Sequence, residues 1–348
     1  MNRIKLLLVA IILSAYQYAS EEALWTEITN APDIVKSTIQ LQFKDFPDAF
    51  NPSIFKMDQG YLLSFRYCPD RDLRDQLSYI GVVLLDESLH PISEPQLLNT
   101  RSTNDKTLSQ AEDARIFSYK GRIFVIFNDN VEVNFPSALG RRDMFIAELY
   151  YKDNEFTLSS SLKLIHEEKY NSQLWQKNWV PFEWKNKLLI TYTISPHEIV
   201  SPNLLHGTCY THHITNPKLD WGWGVLRGST PPLLVDGEYL AFFHSVTKKS
   251  TEYVSYFQYF MGAYTFSAEP PFKLTKISPF PISSKEFYSD SHTPLFKLAS
   301  NYQKKVIFPG GVAISGSNIY VAYGKDDSEI WIATLNKEAL MKSLVKVE

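Results

Sequence analysis

The chain of 348 residues has only two cysteines, Cys68 and Cys209, too few and too far apart for a disulfide framework. A single bridge and two buried free thiols are both compatible with them. Cations are not in surplus either: 35 Lys and Arg face 38 Asp and Glu, a net charge of −3. That balance argues against a nucleic-acid partner, which needs an excess of Lys and Arg to neutralise phosphates. No CxxC, HExxH, P-loop or GxGxxG occurs, so neither a metal nor a nucleotide cofactor is expected. His197, His212 and His213 lack partners at ligand spacing and read as structural or surface histidines. No apolar run reaches the ~20 residues that span a bilayer. The run from Leu6 to Leu13 follows Arg3 and Lys5 and precedes the small residues Ala15, Ala19 and Ser20, the form of a secretory leader over residues 1–20. Export to a periplasmic, secreted or secretory-pathway location is the expectation, with an uncleaved N-terminal anchor as the alternative. Helical periodicity is scarce, with one candidate over Lys337 to Leu344.

Aromatics are what the chain has in quantity: 22 Phe, 20 Tyr and 7 Trp, or 14%. They suit pleated, half-buried strands, and Tyr or Trp faces also hold sugars. Five segments share one form, two alternating apolar runs around a Gly or Asn turn: Pro52 to Phe65, Ala114 to Phe127, Pro181 to Tyr192, Pro232 to Phe243 and Gly311 to Tyr323. Each reads as a β-hairpin, with turns at Gly60, Lys120-Gly121, Asn186, Asp236-Gly237 and Gly316-Ser317. Further strands fall between them at Tyr79 to Leu85, Met144 to Tyr151, Glu155 to Ile165 and Ile330 to Leu335. A hairpin recurring roughly every 65 residues with outer strands between is the pattern of a propeller. The prediction is an all-β, five-bladed β-propeller: one domain over 21–348 with a lead-in to about residue 45 and a short C-terminal helix. A two-domain β-sandwich chain is the alternative.

In a propeller the innermost strands line a central channel, so residues just before the five hairpins should meet at one rim. These are Asn51, Glu112-Asp113 with Arg115, Lys177-Asn178, Arg227-Gly228-Ser229-Thr230 and Phe308-Pro309-Gly310. The same stretches carry a resemblance. Asn51-Pro52 with Arg66, Glu112-Asp113-Ala114-Arg115, Lys177-Asn178-Trp179, Thr230-Pro231-Pro232 with Phe243-His244, Met261-Gly262-Ala263, Phe308-Pro309-Gly310 and Tyr323-Gly324 with Asp327 resemble, in order, glycoside hydrolase family 130. That family of five-bladed propellers contains β-mannoside phosphorylases, hydrolases and related mannosyltransferases. Two departures stand out. Ala114 replaces a proline, and Lys325-Asp326 replaces a pair of alanines, adding a cation and a second carboxylate beside Asp327.

The resemblance implies Asp113 as the acid that protonates the leaving oxygen, chemistry a carboxylic acid performs when its surroundings raise its pKa. Strand alternation puts Glu112 and Asp113 on opposite faces, and a structural ion pair with Arg115 is the competing role for Asp113. Asn51, Arg66 and Asp327 are the implied sugar contacts, joined by Arg115, Asn178 and Tyr323. Lys177 and His244 match phosphate-contacting residues, with Arg142 or its neighbour Arg141 as the third. Inorganic phosphate is then the co-substrate and no other cofactor is implied. A hydrolase would instead need a second carboxylate as base, for which Glu183 is the candidate. Trp175, Trp179, Trp184, Trp221 and Trp223 offer stacking faces, of which one or two are expected at the site. The expected function is inverting transfer between β-mannosides and phosphate, in either direction. The alternatives are an exported mannoside hydrolase and a non-catalytic carbohydrate-binding propeller, because export would forfeit the sugar phosphate that phosphorolysis conserves.

Overall fold

The computed structural model describes residues 25–70, 77–101, 109–130, 141–170, 175–289 and 302–348; the expected leader over 1–20 lies outside them. The fold is nearly all β and propeller-like. All five predicted hairpins form. Phe50–Lys56 pairs with Tyr61–Tyr67, Glu112–Tyr119 with Arg122–Asp129, Val180–Trp184 with Lys187–Thr193, Leu233–Val235 with Glu238–Ser250, and Ile307–Ser315 with Asn318–Lys325. Three turns place both central residues at positive φ: Lys120-Gly121, Lys185-Asn186 and Asp236-Gly237. This is the type I′ geometry whose twist matches that of the flanking strands.

Outer strands extend each hairpin into an antiparallel sheet. Tyr79–Leu85 and Gln96–Leu97 complete the first. Asp143–Lys152 and Leu162–His166 extend the second, and His197–Pro202 and Thr208–Thr215 the third. A two-residue parallel bridge, Ile165↔Thr208 and His166↔Cys209, merges these two into one nine-stranded sheet. Ser255–Ser267 and Leu274–Ile277 extend the fourth. The last adds Glu329–Asn336 and then Val35–Leu41, from the opposite end of the chain. The stretch expected as a plain lead-in is therefore the outer strand of the last sheet. Its partner is made of residues almost at the C-terminus, so local pattern could not announce it. The helix forms over Lys337–Ser343, with the Asn336 side chain accepting from the Ala339 N–H. Cys68 and Cys209 are both buried and free.

Each core cluster is shared by neighbouring sheets. Leu62 and Val82 pack with Ile116 and Val125, Ile126 with Ile190 and Val200, and Leu189 with Ala241 and Phe266. Leu240 packs with Val321, and Leu63 with Ala322 and Ile332, which returns to the first sheet. The aromatic content serves this packing. Phe65 lies over its strand partner Gly81, and Phe243 over its partner Gly262; a Cβ on Gly262 would meet Phe243 Cζ at 2.3 Å. The Phe243 ring is fully buried and has no solvent to move into. Gly262→Ala is therefore expected to destabilise the fold by about 1–3 kcal/mol, the usual scale of core overpacking. Urea unfolding measures it, and an unchanged midpoint would mean that the ring can move aside.

Candidate active site

The innermost strands meet at their starts. Ser53 Oγ accepts from the Ile116 N–H at 3.2 Å, and Arg115 Nε donates to the Ser229 carbonyl at 2.5 Å. Cβ atoms on Gly310 and Gly228 would fall 2.2 Å from the Pro52 carbonyl and 2.6 Å from that of Asn178. At this rim the strands are irregular in the same way. The register shifts by one residue between Phe50 and Ser53, between Glu112 and Arg115, and between Pro309 and Gly311. Asn51, Asp113 and Asn178 take φ of 47°, 53° and 65°. Bulges re-aim side chains, and left-handed non-glycine residues persist only where the surroundings over-determine them.

The bulge overturns the alternation reading. Glu112 and Asp113 both face Arg66, whose Nη2 lies 2.8 Å from Glu112 Oε1 and whose Nη1 lies 3.9 Å from Asp113 Oδ1. Asn51 Nδ2 donates to the same Asp113 oxygen at 2.9 Å. Glycine at 324 makes room for this amide, since a Cβ there would sit 2.1 Å from Asn51 Oδ1. The Asp113 side chain keeps 11% of its surface exposed, and no described group bonds its second oxygen. The competing Asp113–Arg115 ion pair does not form. Arg115 donates instead to the backbone carbonyl of Asp113 at 2.9 Å, to Ser229 and to Asn178 Oδ1 at 3.1 Å. It is fully buried, and desolvation lowers its pKa to about 10. Arg115, expected as a sugar contact, instead ties inner strands together, its fully buried guanidinium being taken up by backbone carbonyls and Asn178 Oδ1, whereas the partly buried Asn178 keeps its Nδ2 without a partner among the described residues.

Glu112, expected on the opposite face, is the centre of an ion cluster. Arg66, Arg142 and Lys177 each reach its carboxylate at 2.8 Å. Burial alone would raise its pKa, but the three cations outweigh burial and hold it well below the carboxylate range. Arg142, not Arg141, is the arginine here: it also donates to the Gln110 carbonyl, while Arg141 binds Asp143 and the Tyr170 carbonyl. Lys177 Nζ lies 4.9 Å from the ring centre of Trp175, which is 60% exposed. The other four candidate tryptophans pack. Trp179 is buried against Tyr192, Trp184 meets Phe272, and Trp221 meets Phe243 and Trp223.

Three expectations need correction. Tyr323 is fully buried between Phe287 and Trp331, so it is a core residue rather than a sugar contact. Burial pushes its phenol pKa up. Glu183 accepts from the Lys120 N–H at 2.8 Å in a neighbouring hairpin turn. Three strand steps from Val180 carry it roughly 10 Å along Val180–Trp184, at about 3.3 Å each, to the turn end of its hairpin, so nearness to Lys177 in sequence does not bring it to Asp113. Lys325 is also buried, with its Nζ donating to Ser289 Oγ at 2.8 Å and lying over Trp331. Its ammonium is therefore held inside the fold by Ser289.

Asp327, at φ 51°, is close enough for its charge to act on Arg66. Beside it Asp326, raised to about 6 by burial, accepts from the Val306 N–H. His244 Nδ1 and Ser229 Oγ are 2.6 Å apart. Burial, then Arg227 and Arg115, hold this imidazole well below its ordinary pKa and so neutral. His197 is a core residue donating from Nδ1 to the Phe272 carbonyl, its pKa lowered to about 4 by desolvation. Among the described residues no group of three or more His, Cys, Asp or Glu could hold a metal ion.

At one rim the propeller-like ring thus carries a carboxylate beside a cluster of cations. The sequence profile of the family described as beta-1,4-mannooligosaccharide phosphorylase, glycoside hydrolase family 130, matches residues 35–346, and the chain belongs to that family. No curated protein sequence matches. Solved structures do. A glycosyl hydrolase from Bacteroides ovatus superposes with a TM-score of 0.58 at 13% identity, over 90% of this chain and 94% of its own. A β-1,2-mannobiose phosphorylase from Listeria innocua, in complex with β-1,2-mannobiose, gives 0.57 at 14% over 90% and 95%. A mannose phosphorylase from Leishmania mexicana, in complex with phosphate ion, gives 0.54 at 14% over 96% of both chains. At these identities the likeness is one of fold.

Proposed function

We propose that the chain is a five-bladed β-propeller that cleaves β-mannosides by inverting transfer to inorganic phosphate, with Asp113 as general acid. Its proton passes to the glycosidic oxygen as the C–O bond breaks, and a phosphate oxygen bonds the anomeric carbon from the opposite face. The products are α-mannose 1-phosphate and the shortened sugar. Asn51 and Arg66 fix one oxygen of Asp113 and leave the other for the leaving group.

The carrying observation is the sign of the charge around Asp113. Arg66, Arg142 and Lys177 converge beside it, and the adjacent carboxylate, Glu112, is locked as their shared counter-ion. An inverting hydrolase needs a base free to activate water, which Glu112 and Glu183 do not supply. A cationic rim suits an anionic nucleophile. Membership of the family and the phosphate-bound phosphorylase of the same fold support the reading. A second reading is hydrolysis, supported by the glycosyl hydrolase of the same fold. Export under the leader over 1–20 would suit it better.

The test incubates the chain with β-mannobiose and β-mannooligosaccharides, with and without phosphate. Phosphate-dependent α-mannose 1-phosphate is the expected product. Mannose released equally without phosphate would establish hydrolysis instead, and binding without turnover a carbohydrate-binding propeller.

A further inference from the structure

The two cations expected to hold phosphate, Arg142 and Lys177, both spend a nitrogen on Glu112. Arg227 does not. It is exposed, and among the described residues its side chain makes no ion pair or hydrogen bond. Its two-residue strand, Arg227–Gly228, comes just before the fourth hairpin and pairs with the same long strand, Glu238–Ser250, as that hairpin's first strand, Leu233–Val235. The close approach of Gly228 to the Asn178 carbonyl presses that strand against the start of the third hairpin, next to Lys177.

Register gives Arg227 its direction. It pairs directly with His244 across the ladder, and directly opposed residues of antiparallel strands project to the same face. Ser229, two positions on, shares that face and sits 2.6 Å from His244 Nδ1. Nε2 is thus the imidazole nitrogen left to a ligand. The charge of Arg227 acts on His244, which stays uncharged at neutral pH. The pair therefore combines a permanent cation with a neutral hydrogen-bonding ring. A guanidinium binds two phosphate oxygens at once in its planar fork, where an ammonium presents a point charge.

We propose that Arg227, with His244 beside it, is an anion-binding residue of this site and holds the phosphate that attacks the mannoside. The inference rests on the phosphorolysis reading, and its test can fail separately from that reading. Arg227→Ala is expected to raise the phosphate KM roughly 10- to 100-fold, the loss of one charged partner, while the KM for β-mannobiose changes less than about twofold. Arg227→Lys should recover part of the loss. Exposure of the side chain predicts an unchanged urea-unfolding midpoint for both variants. The second readout needs no turnover: broadening of the ³¹P resonance of inorganic phosphate by the full chain, which Arg227→Ala should abolish and Arg227→Lys partly restore. If the wild-type chain broadens phosphate but does not cleave mannosides, the functional reading fails and the anion site stands. An unaltered phosphate KM and unaltered broadening in Arg227→Ala would overturn the proposal, as would a wild-type chain that leaves the phosphate resonance sharp.

Discussion

Asp113→Asn is expected to lower the rate of mannobiose phosphorolysis roughly 10²- to 10⁴-fold, the usual worth of a positioned general acid. The amide keeps the shape of the carboxylate and the acceptor for Asn51 Nδ2, and asparagine tolerates the left-handed backbone that φ 53° imposes. Alanine at this position would mix strain with chemistry. The variant should therefore unfold at nearly the wild-type urea concentration, which separates loss of the acid from loss of the fold. A second substrate sharpens the assignment. An aryl β-mannoside with a good leaving group departs with little protonation, so Asp113→Asn should slow it far less than it slows mannobiose. Equal losses on both substrates would assign Asp113 a positioning role, and unchanged turnover would remove it from the reaction.

How far the site could be read in advance depended on whether the determinants were local. The hairpins were legible because their turns carry their own chemistry: Asp236-Gly237 and Lys120-Gly121 adopt positive φ where the sequence advertises it. The strand Val35–Leu41 was not, since it forms only against Glu329–Asn336 at the other end of the chain. The bulges at Asn51 and Asp113 were hidden for a related reason. Nothing in Asn-Pro or Glu-Asp-Ala-Arg calls for a left-handed residue; the conformation is held by contacts across sheets, Gly324 against Asn51 and Arg115 against Ser229. Strict alternation therefore sends Glu112 away from Asp113, whereas the bulge turns both toward Arg66 and assembles the ion cluster. Tyr323 failed in the opposite way: its position matched a family motif, yet its ring belongs to the packing between the fourth and last sheets.

The cluster sets the second large expectation. Glu112→Gln should destabilise the fold by about 3–5 kcal/mol at neutral pH, the scale on which removing one partner exposes buried charge to an uncompensated environment. Glutamine fills the same volume, so no cavity contributes. What changes is that Arg66 and Arg142, both nearly buried, lose their common counter-ion while Lys177, about a quarter exposed, can turn toward water. Acid provides the check that the cost is electrostatic. The Glu112 carboxylate is held well below its ordinary pKa in the folded chain, so its stabilisation is complete above the unfolded value near 4.5 and falls away as pH drops toward the folded one. The gap in urea-unfolding free energy between wild type and Glu112→Gln should therefore be full at pH 7 and shrink progressively below about pH 4.5. A gap that stays constant with pH would place the loss in packing and refute the three-cation account. Activity should fall with stability, because Arg66 released from Glu112 is no longer held beside Asp113. A variant as stable as wild type yet inactive would instead make Glu112 a group of the reaction itself.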